Sequence, residues 1–189
     1  LVFFDKLNKS ECFLRSFLSS NSARVRWHLI HECVSDGGTW GMFMHLVQSY
    51  GLVPHDARLP THHAKDTHQY NNYLNSYLRG VVRHIADGRL TIEDAMEPVL
   101  LSLIRVYAPP VDSVRLFTHM HGRDFVGPPV QITKLIRQKW PYVLLTHAPD
   151  RPCGFYCGPF SNDPSNTSQD LFHVVDLDLL VQATIRQLE

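Results

Sequence analysis

Ser35-Asp36-Gly37-Gly38-Thr39-Trp40-Gly41-Met42 runs without a break into Phe43-Met44-His45-Leu46-Val47-Gln48-Ser49-Tyr50-Gly51. The first part is a tight polar turn with two adjacent glycines. In the second, Met42, Phe43, Leu46, Val47 and Tyr50 fall at i, i+1, i+4, i+5 and i+8, the spacing of a helix with one apolar face. Gly51 stands where a helix ends in the left-handed region. Two glycines ahead of a buried helix admit two readings. Turn chemistry alone favours such residues where a loop caps a helix. Alternatively, the backbone must approach something closely or take a positive φ. The turn does not choose between these, and the choice rests on its surroundings.

Outward from the turn, Phe3, Phe4, Leu7, Phe13, Leu14, Phe17 and Leu18 form one apolar stripe. This predicts a helix over 3–18 with its charges on the other face. Ser19-Ser20-Asn21-Ser22 breaks it, and 25–31 predicts a short second helix with Val25, Leu29 and Ile30 inward. Beyond Gly51 the chain is extended and marked by Pro54 and Pro60. Asp66-Thr67 can cap a helix in which Tyr70, Tyr73, Leu74, Tyr77, Leu78, Val81, Val82 and Ile85 recur at three and four, closed by Gly88. Thr91-Ile92-Glu93-Asp94 has capping-box spacing and opens a helix through Tyr107, with Pro98 tolerated near its first turn. After Pro109-Pro110 the texture changes. Residues 113–119, 142–147 and 172–175 read as strands, 130–139 and 176–188 as helices, and the Pro-, Gly- and Asn-rich 148–170 as loop. The class is α+β, mainly helical with a few strands.

Composition narrows the function. Among 189 residues, Lys+Arg and Asp+Glu balance at 18 each, and no basic run carries interleaved aromatics, so nothing points to nucleic acid. No stretch reaches the roughly 18 apolar residues of a membrane span. The apolar start Leu1-Val2-Phe3-Phe4 precedes its charges, the reverse of a secretory signal. The first residue is not Met, and Arg186-Gln187-Leu188-Glu189 ends the chain inside a helical pattern. Both ends read as internal to a longer protein.

Candidate chemistry is sparse. His55, His62, His63 and His68 are the densest histidines, but no His-Glu-x-x-His pattern or carboxylate at ligand spacing accompanies them, so they read as surface residues and no metal is expected. There is no Gly-x-Ser-x-Gly elbow. Cys153 and Cys157 lack the two-residue gap of zinc or redox pairs. Cys12 lies within its helix, and Cys33 follows a helical segment with His31 too near in sequence to face it. Neither has the exposed, activated setting of a nucleophile, and both read as small hydrophobes. The residues alone contain no catalytic set.

Taken together, the chain resembles the bleomycin hydrolase and aminopeptidase C branch of the papain-like cysteine peptidases. Asp36-Gly37-Gly38-Thr39-Trp40-Gly41-Met42 is similar to the family's Asp-Gly-Gly-Gln-Trp-Asp-Met, and Val47-Gln48-Ser49-Tyr50-Gly51-Leu52-Val53-Pro54 to its Val-Glu-Lys-Tyr-Gly-Val-Val-Pro. Residues 1–14 resemble the segment carrying Phe-Trp-Asp-Lys, just after the catalytic helix. Thr67, Asn71, Leu74, Asn75 and Arg79 match its Thr-x-x-x-Asn-x-x-Leu-Asn-x-x-x-Arg helix. Gly127-Pro128 and Pro149-Asp150-Arg151 echo further landmarks more loosely, and 171–178 resemble the strand and helix before the histidine-bearing barrel.

The resemblance implies a partial papain-like fold, the central part of a single peptidase domain. In it, 1–60 give the helical half with the Gly-Gly cleft loop, 61–107 a helical insertion, and 108–189 a mixed region. Gly37 and Gly38 would bind the substrate main chain, with Asp36 and Trp40 as supports. The family's nucleophilic cysteine would lie before Leu1 and its histidine and asparagine after Glu189, so no catalytic residue is carried over. The implied protein is a cytosolic thiol aminopeptidase acting on peptides, without a cofactor, assembled as a hexameric ring. The 61–107 helices would pack either in that ring or within one subunit. Thr39 and Gly41 depart from the family's glutamine and aspartate, which keeps open an inactive pseudo-peptidase or scaffold that retains the fold. A free-standing helical binding domain is the third possibility, and would require 1–189 to unfold cooperatively alone.

Overall fold

The computed structural model describes residues 1–53, 61–108, 110, 114–118, 123–129, 144–159, 162–165 and 169–188. The expected extended stretch 54–60 and the expected helix 130–139 lie outside them.

Helix α1 (Val2–Ser19) is central. Phe3, Phe13 and Leu14 join a core with Leu74, Leu78 and Val82 of α5 (His68–Ala86) and Ala95, Val99 and Leu103 of α6 (Ile92–Tyr107). Leu14, Leu78 and Leu103 are 0% exposed, each burial worth about 1.5–3 kcal/mol. Helices of the 61–107 segment therefore pack on α1 within this chain. The expected charged outer face of α1 holds at Arg15, which is exposed, but not at Lys6 and Lys9, which are 1% and 5% exposed. They are buried because their ammonium groups find oxygen acceptors on residues 35–37 and on Asp5.

The capping box at Thr91 and Asp94 forms as the spacing predicts, the Thr91 Oγ1 accepting from the Asp94 N–H at 3.1 Å. Pro98 sits a turn deeper than expected, and its missing N–H deprives the Asp94 carbonyl of a helical partner. Helix α2 (Ala23–His31) starts at Ser22, whose hydroxyl accepts from the Val25 N–H at 3.4 Å. Val25 is 46% exposed rather than inward. Only Leu29 packs on the core from this helix, and α2 is held instead at its C-terminal carbonyls, as described below.

Helix α3 (Trp40–Tyr50) is capped by Thr39, whose hydroxyl accepts from the Met42 N–H at 3.3 Å. Gly51 ends it at φ 78°, its N–H reaching the Val47 carbonyl at 3.0 Å, as the sequence predicts. Tyr50 stacks on Phe4 of α1 at 3.7 Å between ring centroids. A single helical turn, α4 (His62–Lys65), precedes α5.

The C-terminal part carries the strands. Strands β1 (Val114–Thr118) and β2 (Arg123–Gly127) pair antiparallel, from Val114 opposite Gly127 to Thr118 opposite Arg123. Strands β3 (Leu144–Thr146), β4 (Gly154–Pro159) and β5 (Gln169–Val174) form a sheet in the order β3-β5-β4, with β3 parallel and β4 antiparallel to β5. Strand β4 corrects the reading of 148–170 as loop. Its Gly and Pro sit at the ends, while Phe155 and Tyr156 stack on His173 and Phe172 across the pairing. Such cross-strand pairs stabilise a strand that its own composition does not announce. Helix α7 (Leu177–Leu188) follows.

Candidate functional site

Residues 35–38 lie between α1 and α5, held from both sides. From α1, Lys6 Nζ donates to the Ser35 carbonyl at 3.0 Å and to Asp36 Oδ1 at 2.5 Å. Lys9 Nζ donates to the carbonyls of Ser35 at 2.9 Å and Gly37 at 2.7 Å, and pairs with Asp5 Oδ2 at 2.8 Å. From the α5 side, Thr67 Oγ1 and Asn71 Nδ2 donate to Asp36 Oδ2 at 2.6 and 2.8 Å. Thr67 therefore opens α5 without capping it through its side chain.

Four residues on, Asn75 treats Val34 as a strand partner would: its Oδ1 accepts from the Val34 N–H at 2.8 Å and its Nδ2 donates to the Val34 carbonyl at 3.2 Å. A further turn along, Arg79 donates through Nε to the Ile30 carbonyl at 2.7 Å and through Nη2 to that of His31 at 2.6 Å. Thr67, Asn71, Asn75 and Arg79 recur every four residues, so one stripe of α5 holds the chain from the end of α2 to the turn.

The Asp36 carboxyl is 56% exposed. Its partial burial would raise its pKa, but hydrogen bonds from Lys6, Thr67 and Asn71 and the charge of Lys6 hold it down to about 2. Gly37, Gly38 and Thr39 are exposed. Neither glycine has a positive φ. A Cβ on Gly38 would lie 3.5 Å from Met42 Cε, and on Gly37 4.0 Å from Ser35 Oγ, ordinary contact distances. Trp40 is 51% exposed and lies against Phe43 at 5.2 Å between ring centroids. The four residues that the sequence singles out are thus all exposed, with the Gly37 carbonyl turned toward Lys9 and Asp36 facing its donors.

On the other side of Lys9, a cavity of about 830 Å³ is lined by Cys12, Arg15, His28, Cys33 and Asp163 among others. Burial pushes the Cys12 thiol up to about 12 and the Cys33 thiol up to about 11, which disfavours their thiolate forms. His62 and His63 meet edge to face on α4, and His68 lies by Asn72. Among the described residues, no group of three His, Cys, Asp or Glu side chains is arranged to hold a metal ion.

Lys6, Lys9, Thr67 and Asn71 are the site residues that sequence reasoning missed as such. The signal existed for the last two, since they stand in the Thr-x-x-x-Asn spacing already noted. Lys6 had a like signal, since Phe3-Phe4-Asp5-Lys6 stands in the segment compared with Phe-Trp-Asp-Lys, whereas Lys9 gave none, because a helix charge is ordinarily a solvated one.

Fold and turn together define the class: a papain-like α+β peptidase fold, partial in this chain, with a Gly-Gly turn on its surface. The chain belongs to the Peptidase C1-like family, whose profile matches residues 1–102, the family that includes bleomycin hydrolase and aminopeptidase C. It is 29% identical over 136 residues to "Cysteine proteinase 1, mitochondrial" of Saccharomyces cerevisiae, covering 62% of this chain and 28% of that protein. It is 29% identical over 85 residues to bleomycin hydrolase of Rattus norvegicus (42% and 19%). With aminopeptidase C of Listeria monocytogenes it shares 33% over 82 residues (41% and 18%). The crystal structure of PepW from Lactobacillus rhamnosis superposes with a TM-score of 0.74 at 22% identity, covering 98% of this chain and 47% of that one. The chain thus spans about half of that solved structure and under a third of these curated relatives.

Proposed function

We propose that the protein carrying these residues is a thiol aminopeptidase of the bleomycin hydrolase type, and that Gly37 and Gly38 are the wall of its cleft. The substrate main chain would lie along them as an added strand. One observation carries this reading. The two glycines are exposed, neither has positive φ, and a Cβ on either would find room within the chain. Neither conformation nor internal crowding calls for glycine, which leaves the close approach of an outside backbone. Asp36 would support the turn through its donors, and Trp40, with Phe43, would flank it.

The chemistry would follow the family. A cysteine thiolate outside residues 1–189 attacks the scissile carbonyl, an imidazolium gives its proton to the leaving amine, and water then hydrolyses the acyl-enzyme. Gly37 and Gly38 contribute by holding the substrate in register with that attack. Neither a metal nor a cofactor enters these steps. Cytosolic location and a hexameric ring are part of the proposal, drawn from the family. Among the described residues no helix is long and apolar enough to cross a membrane.

The test uses the full-length protein and fluorogenic aminoacyl and dipeptidyl amides. The wild type releases amino acids. Gly38→Ala keeps its thermal midpoint, since the added methyl group meets Met42 at contact distance, and loses about tenfold or more in kcat/KM. A wild-type chain with no amidase activity and no cysteine at the nucleophile position would establish the pseudo-peptidase instead.

A further inference from the structure

The turn owes its orientation to two lysines that the sequence assigns to solvent. Lys6 and Lys9 are buried, and a buried ammonium must have its protons met by acceptors. Lys9 has three: Asp5 Oδ2 at 2.8 Å, the Ser35 carbonyl at 2.9 Å and the Gly37 carbonyl at 2.7 Å. Lys6 shares the Ser35 carbonyl and takes Asp36 Oδ1. Apolar side chains of like volume would pack this face of α1 without desolvating two cations, so stability alone does not account for them. What an ammonium provides, and a methyl group does not, is direction. Its fixed acceptors draw the carbonyls of residues 35 and 37 toward α1. The peptide joining Gly37 to Gly38 is trans, so the Gly38 N–H is directed away from Lys9. Asp36 completes the hold from the opposite side, through Thr67 and Asn71.

We propose that Lys9, with Lys6 and Asp36, is a positioning residue of the peptide cleft: it fixes the peptide planes of the Gly-Gly turn so that Gly38 faces the substrate main chain. This rests on the cleft-wall reading above. Lys9 touches no substrate and acts through the Gly37 carbonyl.

The experiment compares full-length wild type with Lys9→Met, which keeps length and apolar bulk and removes the donors. Four quantities are read: amide hydrogen exchange of the segment over 33–39, in which the Val34 N–H is held by Asn75 Oδ1 at 2.8 Å, kcat and KM on a dipeptidyl amide, and the rate of alkylation of the nucleophilic thiol by iodoacetamide. The expected result is exchange of the Val34 amide, next to the clamped turn, faster by about tenfold or more, with KM raised and kcat/KM lowered by a similar factor. Alkylation, which needs no main-chain pairing, stays within about twofold. Should Lys9→Met fail to fold, Asp36→Asn, at the exposed end of the same network, must show the same changes in smaller degree. Unchanged exchange overturns the clamp whatever the activity. Faster exchange with unchanged KM and kcat overturns the positioning role. An equal loss of alkylation and peptidase rates assigns Lys9 to general structure and overturns it too. A wild type that shows the exchange difference but cleaves no peptide overturns the cleft-wall reading, and the positioning role with it.

Discussion

Asp36 shows how much a half-exposed carboxylate can be constrained. Lys6, Thr67 and Asn71 all donate to it, and its pKa is held at about 2 against an ordinary 3.8. A carboxyl whose folded pKa is depressed stabilises the fold above its unfolded value and loses that contribution as pH falls through the folded one. The window is therefore between 3.8 and about 2. Thermal unfolding of the full-length wild type and of Asp36→Asn should show a wild-type advantage at neutral pH that narrows across this window and closes at its lower end. Because the group is 56% exposed, added salt should shrink the advantage. At this scale the sequence was half legible. Asp36, Gly37 and Gly38 announce a special turn by residue type alone. Lys6 and Lys9 do not, since what buries them lies about 30 residues away along the chain, and periodicity sees only neighbours on one helix.

Among the elements, α5 does two jobs with two faces. Leu74, Leu78 and Val82 fill the core, and their spacing was plain in the sequence. The neighbouring stripe of Thr67, Asn71, Asn75 and Arg79 holds the chain over residues 30–36 in place of a strand or helix partner. Val34 has both its backbone groups satisfied by the Asn75 amide. Asn75→Ala would leave both without that partner at a buried residue, and should destabilise the full-length protein by about 1–3 kcal/mol. Tyr73→Ala, two residues away and 57% exposed, should change stability by no more than about 0.5 kcal/mol. Urea midpoints of the two variants measure the difference. The capping box at Thr91 and the end of α3 at Gly51 were readable because local geometry dictates them. Strand β4 was not, because its stability comes from stacking on β5, a neighbour that local composition does not reveal.

Across the whole molecule, the helical core and the strand-bearing part are joined by buried polar contacts rather than by an apolar interface alone. Asn162, 0% exposed, lies in the segment between β4 and β5. Its carbonyl accepts from Asn8 Nδ2 at 3.0 Å, and its own Nδ2 donates to the Met42 carbonyl at 3.2 Å. Tyr50 Oη then donates to Asn8 Oδ1 at 3.1 Å. One asparagine from the late chain thus reaches both α1 and the helix that follows the Gly-Gly turn. The α+β class and the order of most elements could be read from periodicity and punctuation, but this junction could not, since its partners are 120 and 154 residues apart. Removing the Asn162 side chain would leave the Asn8 contact, which uses the main chain, and abolish the one to Met42. Asn162→Ala should therefore destabilise the full-length protein by about 1–3 kcal/mol. The loss should appear as faster amide exchange in 162–165 and at the start of α3, with α5 and α6 protected as before, because their core contacts do not pass through Asn162. Equal loosening of α6 would mean that the two parts unfold as one cooperative unit, and that this junction is not a separable contact between them.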